Sequence, residues 1–183
     1  MKKQDFKVLK TKDLYPFPDN PFHVAEDETL SELAESIKEF GIVTPIITRP
    51  KEDGDGYEVI AGQRRVRASE LAGINTIPAF VLSLDRDRAI ITLVDSNLQR
   101  ENILPSERAF AYKMKSEAMK RQGFRTDLTS SQVVTKLRTD DKVAQGFGVG
   151  RMTVQRFIRL TELIPPILQM VDEGKIALTP AVE

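Results

Sequence analysis

A single glycine, Gly62, separates a strand-like run from an arginine-rich segment, and this order constrains the chain more than any other feature. The run Tyr57–Ala61 favours a β-strand, and three arginines follow within positions 64–67 of a predicted helix that ends near Ala72. Glycine lets the backbone approach a ligand, the first helical N–H groups point outward, and guanidinium groups add fixed charge. The motif therefore predicts phosphate binding, and a solvated basic helix face is the alternative.

Residue types that are missing or rare exclude several classes of protein. The 183-residue chain contains no cysteine and one histidine, His23. The lack of cysteine excludes a disulfide framework, a thiolate zinc site and a cysteine nucleophile, and a single histidine argues against a histidine metal centre or a Ser-His-Asp triad. No apolar signal region follows Met1, and no apolar run approaches the length of a membrane span. We therefore expect a cytoplasmic protein without a membrane partner.

Charge is distributed unevenly along the chain, although the formal net charge is zero. Residues 1–107 contain 14 basic and 19 acidic side chains, whereas residues 108–183 contain 13 and 8. The shift indicates a boundary near Leu104 and Pro105 and favours a nucleic-acid partner for the second part. We predict two domains, residues 1–104 and 105–183. Two surfaces that merely differ in charge are the alternative.

The first predicted domain mixes short strands with short helices, which is an α+β pattern. Strands are predicted at 6–9, 43–49, 57–61 and 77–82, and helices from Leu30 to the C-cap Gly41, at 62–72 and at 85–97. The proline-rich stretch 15–21 predicts an extended or turn-like loop, and residues 53–56 predict a hairpin turn. Pro45 indicates either an edge strand or the beginning of a strand. The carboxylates of the first helix are expected to be solvated rather than to hold a metal; they are Glu28, Glu32, Glu35 and Glu39.

The second predicted domain is entirely helical. Its first helix is expected to begin at Pro105 and to end at Gly123. Further helices are predicted at 131–138, from a cap at Asp140 or Asp141 to Phe147, at 151–161 and at 167–173. The chain ends without a cap or turn signal, so we expect further sequence beyond Glu183.

Two of these helices are joined by the tight turn 148–150 and form the pattern of a helix-turn-helix. Ala144 is small where the helices would cross, and Gly148 can adopt a positive φ. The side chains expected to be buried are Val143, Ala144, Phe147, Val149, Val154 and Phe157 or Ile158. The outward face of the second helix is expected to carry Arg151, Thr153, Gln155, Arg156 and Arg159. Such side chains suit phosphates and base edges, so this face predicts DNA binding, and an ordinary helical hairpin is the alternative.

Several motifs occur in a fixed order along the chain. They are Asn20-Pro21, then Ser36-Ile37 with Gly41 and Pro45 after it, then the segment 62–68, then Asn97-Leu98-Gln99-Arg100-Glu101, and finally the helix-turn-helix. In this order they resemble the ParB family of plasmid and chromosome partition proteins. The arginine motif and the Asn-Leu-Gln-Arg motif together are fairly specific, and the resemblance covers nearly the whole sequence.

The resemblance implies that the first domain binds CTP together with Mg²⁺. Carried over by motif, Gly62, Arg64 and Arg65 would contact phosphates, and Thr44 and Pro45 would lie near the nucleotide. Asn97 would lie beside the metal and the phosphates. The remaining residues of the implied nucleotide site are Gln63, Ser96 and Arg100.

The resemblance also implies a mode of action. The helix-turn-helix would recognise a palindromic centromere-like site in double-stranded DNA. Nucleotide binding would close a homodimeric clamp that slides along DNA, and slow CTP hydrolysis would reopen it. The usual partner is a ParA-type ATPase, and the location would be the bacterial cytoplasm, on the nucleoid or a plasmid. The resemblance further implies a C-terminal dimerisation domain, which we expect to lie beyond Glu183.

Three departures from the family pattern concern the binding and hydrolysis of CTP rather than the binding of DNA. Gln63 and Ser96 each replace a glutamate that is common in the family, and residues 23–25 replace the usual Gln-Pro-Arg. A hydroxyl is a poorer ligand for a hard cation than a carboxylate, so hydrolysis is less strongly implied than nucleotide binding. No catalytic residue is assigned.

Two other functions remain as alternatives. The first is a transcriptional or nucleoid regulator on the same scaffold without a working nucleotide switch, which Gln63 and Ser96 favour. The second is a nuclease, which is ranked last because phosphodiester cleavage usually requires clustered carboxylates and few lie near the arginine motif. A sulfiredoxin-like enzyme would need a cysteine.

Overall fold

The computed structural model of the chain describes residues 4–98, 100, 103–127 and 139–183, with the side chains of 4 and 123–127 outside the description. It divides into two compact units, Met1–Leu93 and Val94–Glu183. The domain boundary predicted at 104–105 stays a prediction. The helix predicted at 131–138 lies outside the described residues. No helix within the described ranges has the length and apolarity that a membrane span requires.

The first unit contains a five-stranded mixed sheet. Its strands are β1 (Gln4–Lys10), β2 (Leu14–Pro16), β3 (Ile46–Pro50), β4 (Tyr57–Ala61) and β5 (Thr76–Leu82), in the spatial order β1-β5-β3-β4-β2. The pairs β1–β5 and β3–β4 are antiparallel, whereas β3–β5 and β2–β4 are parallel. The predicted α+β pattern and the hairpin between β3 and β4 are confirmed. β2 was not predicted, because a three-residue strand that ends in proline has no periodic signal of its own.

The strand predicted at 43–49 is shifted by the proline within it. β3 begins at Ile46, directly after Pro45, and it lies between β4 and β5. Pro45 therefore marks the beginning of the strand, and the alternative of an edge strand is wrong. A proline before the first paired residue removes no hydrogen bond from the ladder, so it is compatible with a central strand.

Two helices, α1 (Glu28–Phe40) and α2 (Gln63–Leu71), supply the helical layer of this unit. The Asp27 side chain caps α1 by accepting a hydrogen bond of 2.9 Å from the Leu30 N–H. Gly41 ends the helix with a φ of 72°, as predicted. The buried face of α1 packs on Ala68 of α2; its buried residues are Leu30, Ala34 and Ile37. The four glutamates on the other face are exposed, as expected.

An ion pair is buried within the sheet. Arg49 is 1% exposed and Glu58 is 6% exposed, and Nε of Arg49 donates to Oε2 of Glu58 over 2.7 Å. The two residues are direct cross-strand partners on β3 and β4. The guanidinium also lies 5.2 Å from the centre of the Phe17 ring, so it connects the proline-rich loop to the sheet.

The described part of the second unit is helical and begins within α3 (Arg86–Asn97). Its further helices are α4 (Pro105–Asp127), α5 (Thr139–Gly146), α6 (Arg151–Leu160), α7 (Pro165–Asp172) and α8 (Leu178–Val182). The predicted end of α4 at Gly123 is wrong, because the helix continues to Asp127. Glycine inside a helix costs only about 1 kcal/mol relative to alanine, so by itself it does not end a long helix.

The pair of helices α5 and α6 packs as the sequence predicts. Val143, Ala144 and Val154 are buried together with Tyr112 of α4, and Phe147, Val149, Phe157 and Ile158 pack against them. Gly148 has a φ of 64° in the turn. The predicted caps are wrong: α5 begins at Thr139, so Asp140 and Asp141 lie inside its first turn. A carboxylate is also favourable there, because it faces the positive end of the helix dipole.

Candidate functional site

Gly62 connects β4 to α2 in a conformation that only glycine adopts easily. Its φ is 103°, and a Cβ at this position would lie 2.7 Å from Cγ2 of Ile46. The backbone therefore passes directly over β3 as the helix begins. The first N–H groups of a helix have no acceptor within the helix, so the start of α2 presents polar hydrogens beside the arginine motif.

Arg65 brings the helix start and the loop before β3 together. Its Nη1 donates to the carbonyl oxygen of Pro45 over 2.8 Å and also to that of Thr44. A Cβ on Gly62 would lie 3.1 Å from Nη2 of Arg65. Burial lowers the pKa of the Arg65 guanidinium from its ordinary value, but arginine remains protonated in proteins. The result is a half-buried positive charge at a helix N-terminus, which can bind an anion. We call the cluster of Thr44, Pro45, Gly62 and Arg65 the arginine cradle.

Arg64 points to a different place from Arg65. Its Nη2 lies 2.5 Å from Oγ1 of Thr29 and 3.5 Å from Oδ1 of Asp27, at the N-terminus of α1. Hydrogen bonds from the Thr29 hydroxyl and the Leu30 N–H, with a smaller contribution from Arg64, hold the pKa of the Asp27 carboxyl below its ordinary value. The two arginines that were expected to share one phosphate site therefore do not converge in this conformation.

The other side chains at the start of α2 are already engaged. Nε2 of Gln63 donates to the carbonyl oxygens of Val59 and Ile60 over 3.1 and 3.3 Å. An amide can form these bonds and a carboxylate cannot, because an ionised carboxylate only accepts. Arg67 pairs with Glu26 and Glu70, whose hydrogen bonds raise the pKa of the guanidinium. Gln63 therefore stabilises the end of β4 by hydrogen bonds. The charge of Arg67 is neutralised by its two glutamate partners.

Ser96, Asn97 and Arg100 form a second cluster, which belongs to the second unit. Asn97 is 7% exposed, and its Nδ2 lies 3.4 Å from Oγ of Ser96. Nη1 of Arg100 donates to Oδ1 of Asn97 over 3.4 Å, and the Arg100 N–H donates to the Asn97 carbonyl over 3.0 Å. The turn after α3 thus holds an amide, a hydroxyl and a guanidinium side by side. We call this group the Asn97 cluster.

The Asn97 cluster is a weak ligand set for a metal ion. Within the described ranges, no group of three or more histidines, cysteines, aspartates and glutamates could hold a metal. The neighbouring carboxylate, Asp95, is bound to Lys115. Ser96 and Asn97 offer only neutral oxygens. Mg²⁺ usually keeps several waters and is shared with substrate phosphates, so such a set fits the ion only when the phosphates provide most of the charge.

The helix α6 presents the predicted basic face. Arg151, Thr153, Gln155 and Arg156 are half-buried, and Arg159 is exposed. Among the residues that the structure describes, no carboxylate forms an ion pair with any of the three arginines. Their charge is therefore not neutralised by any carboxylate within the described ranges. One contact was not predicted: Nε2 of Gln155 donates to Oδ2 of Asp140 over 3.3 Å. The sequence pattern predicted that Asp140 lies at a helix terminus, but no local pattern predicts its contact with Gln155.

The chain is similar to known proteins of one family. The model of the ParB N-terminal domain matches residues 1–98. The chain is 40% identical over 162 residues to the probable chromosome 1-partitioning protein ParB of Deinococcus radiodurans. This match covers 88% of this chain and 49% of the relative. It is 34% identical over 177 residues to the nucleoid occlusion protein of Halalkalibacterium halodurans, with 96% and 56% covered. The chain therefore spans about half the length of the curated relatives it matches.

Solved structures of ParB proteins are also similar to this chain. The C-terminally truncated chromosome-partitioning protein ParB of Caulobacter crescentus, complexed to the centromeric parS site, has a TM-score of 0.61 and 26% identity. The match covers 96% of this chain and 82% of that one. A Pnob8-like ParB N-domain has a TM-score of 0.64 at 15% identity, covers 98% of this chain and 78% of its own, and supports the fold alone. Since the family model matches more than half of the residues, the chain belongs to the ParB N-terminal domain family.

Proposed function

We propose that this chain is a ParB-type partition protein that binds a palindromic centromere-like DNA site and uses CTP as a switch. One observation carries the proposal: α6 presents three arginines to which no described carboxylate is paired, on a chain that aligns over 96% of its length with a ParB bound to parS DNA. Arginine and glutamine side chains on a helix suit phosphates and major-groove base edges. In this proposal α5 and α6 are the helix-turn-helix, and Arg151, Thr153, Gln155, Arg156 and Arg159 contact DNA.

The nucleotide part of the proposal rests on the arginine cradle. A triphosphate needs fixed positive charge and N–H donors that other protein groups do not already use, and the start of α2 with Arg65 supplies both. Gly62, Gln63, Arg64 and Arg65 would bind phosphates, with Thr44 and Pro45 beside the nucleotide. Arg64 would have to leave Asp27 and Thr29 to take part. The choice of CTP rests on the family resemblance.

The family resemblance also assigns the Asn97 cluster to nucleotide binding. Ser96, Asn97 and Arg100 would contact the phosphates, and Asn97 would lie beside Mg²⁺. When bound, the ion would neutralise phosphate charge. The residues of this chain would orient the nucleotide and hold its charge through Arg65 and Arg100. Among the described residues no carboxylate set lies near this cluster, so nucleotide binding is proposed first, and slow CTP hydrolysis is a further proposal that depends on it.

The assembly around this site is also proposed by family likeness. Two copies would form a homodimeric clamp on DNA, because a palindromic site presents the same half-site twice. A ParA-type ATPase would be the partner in partition. The organisation would be a nucleotide-binding domain over 1–104 and a DNA-binding domain over 105–183, acting on the bacterial nucleoid or a plasmid in the cytoplasm.

A second candidate is a DNA-binding regulator whose first unit does not switch with nucleotide. Three observations favour it. Gln63 braces the carbonyl groups of Val59 and Ile60, and Ser96 replaces a family glutamate. In addition, a relative at 34% identity is named a nucleoid occlusion protein. The DNA-binding role of α6 is common to both candidates.

The test has two stages. A DNA site is first selected from randomised duplexes, and binding of that site is compared with a scrambled duplex at physiological salt. We expect discrimination on the order of a thousandfold or more. Calorimetry with CTP, ATP, GTP and UTP plus Mg²⁺, with and without the selected site, then tests the switch. Selective binding of CTP supports the partition clamp. Site-specific DNA binding without nucleotide binding supports the regulator, and equal affinity for all duplexes rejects both.

A further inference from the structure

Asp140 connects three helices of the second unit. Its Oδ1 accepts a hydrogen bond of 3.1 Å from the hydroxyl of Ser116 on α4, and its Oδ2 accepts one of 3.3 Å from Nε2 of Gln155 on α6. Ser116 is 2% exposed, so the hydrogen bond between Ser116 and Asp140 is formed in the protein interior. Gln155 is half-buried on the face of α6 that carries Arg151 and Arg159.

The carboxylate decides which way the Gln155 amide faces. A glutamine amide has a donor nitrogen and an acceptor oxygen that differ little in shape, so an isolated side chain can present either one. An ionised carboxylate only accepts hydrogen bonds, so only the nitrogen can face Asp140. The amide oxygen is then left on the opposite side. The contact with Ser116 keeps the carboxylate from rotating freely.

We propose that Asp140 is a specificity-determining positioning residue, which orients the Gln155 amide to accept a hydrogen bond from an exocyclic amino group in the major groove. This inference rests on the proposed DNA-binding role of α6. Adenine N6 and cytosine N4 carry such amino groups, whereas guanine O6 and N7 are both acceptors. An amide oxygen supported by a carboxylate repels the guanine acceptors and accepts from adenine or cytosine. The preference therefore falls on one base pair of each half-site.

Asp140 could also act only through its charge at the N-terminus of α5. A carboxylate in the first turn stabilises the helix, because its negative charge faces the positive end of the helix dipole. The same charge repels DNA phosphates and therefore lowers the affinity of the protein for DNA of any sequence. Asp141 provides a matched control for this effect, because it has the same charge and lies in the same first turn. Removal of either charge would strengthen binding to all duplexes by a similar factor. Only the removal of Asp140 would change the base preference.

The experiment uses the whole chain and the selected site. Every base pair of one half-site is replaced in turn by the three others, and affinities are measured by fluorescence anisotropy for the wild type, Asp140→Asn and Asp141→Asn. The wild type is expected to prefer one base pair at one position by about fivefold or more, and to lose this preference when purine replaces adenine or 2-pyrimidinone replaces cytosine there, because these bases lack the exocyclic amino group. Asp140→Asn is expected to reduce this preference to below about twofold, since an asparagine can face Gln155 with either group. Asp141→Asn is expected to leave it unchanged.

A second variant shows whether Asp140 acts through Gln155. Gln155→Met keeps the length of the side chain and removes the amide, so it should abolish the preference at the same base pair. In the Gln155→Met background, Asp140→Asn should have no further effect on that preference, because the two residues act as one unit. Circular dichroism melting curves show whether each variant is folded. Gln155→Met keeps the proposal testable if Asp140→Asn unfolds.

The outcomes separate the inference from the proposed function. A wild type that binds all duplexes equally rejects the proposed function and the inference with it. A wild type that binds its site selectively, while Asp140→Asn keeps every base preference, rejects the role of Asp140 alone. An unchanged affinity for a duplex that lacks the exocyclic amino group at the base pair that Gln155→Met affects rejects the orientation of the amide. Loss of the base-pair preference at that one position in Asp140→Asn supports the inference.

Discussion

Nη1 of Arg65 lies 2.8 Å from the carbonyl oxygen of Pro45, and this contact joins the arginine motif to the loop before the central strand β3. The guanidinium is held by carbonyl oxygens, so its charge is positioned but not neutralised. A phosphate would compete with these carbonyls and form stronger, charge-assisted hydrogen bonds with the same donors. We therefore expect a bound anion to replace the carbonyl oxygens as the hydrogen-bond partner of Arg65.

Arg65→Ala is expected to abolish nucleotide binding and to leave DNA binding nearly intact, because the cradle loses its fixed charge while α6 is unchanged. Titration calorimetry with CTP and Mg²⁺ should show affinity weaker by at least about a hundredfold, the range expected for a lost charged contact. Arg65→Lys should be intermediate, since lysine lacks the planar fork. Arg67→Ala is the matched control on the same helix. Equal loss of nucleotide and DNA binding in Arg65→Ala would show that the residue is structural.

Gly62→Ala is expected to destabilise the first unit by about 1–3 kcal/mol, because alanine at a φ of 103° is strained. Contact with Ile46, 2.7 Å from the new Cβ, adds to this cost. Urea unfolding of the whole chain, followed by circular dichroism, measures the change. Gly146→Ala serves as the control, because its nearest neighbour to the new Cβ is Nζ of Lys115, 3.6 Å away. A neutral Gly62→Ala variant would contradict the close approach of the backbone to β3.

Arg156→Ala is expected to weaken binding to all DNA sequences and to flatten the dependence of affinity on salt. A phosphate contact releases about one counterion, so the slope of log affinity against log salt should fall by about 1. Anisotropy titrations at several salt concentrations give this slope. Lys175→Ala removes the same charge from an exposed site outside α6 and should leave the slope unchanged. An unchanged slope in Arg156→Ala would move the DNA-binding surface elsewhere.

Glu58→Ala is expected to destabilise the chain by about 3–5 kcal/mol, because it leaves the buried guanidinium of Arg49 without its carboxylate. Glu52→Ala removes another carboxylate that pairs with the same arginine, but the Glu52 side chain is 52% exposed. Its loss should cost less than about 1 kcal/mol. Denaturant unfolding of both variants under one condition makes the comparison. Similar losses for the two variants would show that burial does not govern this pair.

Local patterns were sufficient to predict most elements of the fold. The spacing of Leu30, Ala34 and Ile37 predicted α1, and Gly41 predicted its end. The turn at residues 53–56 predicted the hairpin between β3 and β4. Val143, Ala144 and Val154 are buried as expected, and the other apolar side chains predicted to be buried, Phe147, Val149, Phe157 and Ile158, are partly buried against them. These predictions succeeded because capping, periodicity and turn chemistry act over a few residues, so their signal is contained in the local sequence.

The candidate sites were predicted less completely than the elements. The arginine motif indicated which residues carry charge, but Arg65 is held by Thr44 and Pro45 whereas Arg64 is held at the start of α1. No local pattern distinguishes neighbouring arginines that lie about 100° apart on a helix. The assignment of these residues to a nucleotide, and of the α6 face to DNA, stays a prediction.

The sequence alone determined the order of the described strands and helices other than β2 and α8, the use of glycine at position 62 and the basic, acid-free face of α6. The tertiary structure decided that β3 lies in the centre of the sheet, that Arg49 and Glu58 form a buried pair, and that Asp140 lies against Gln155. These relationships depend on contacts between residues distant in sequence or on the burial that such packing creates. Hydrogen-bond geometry and burial therefore became defined only when the elements packed together.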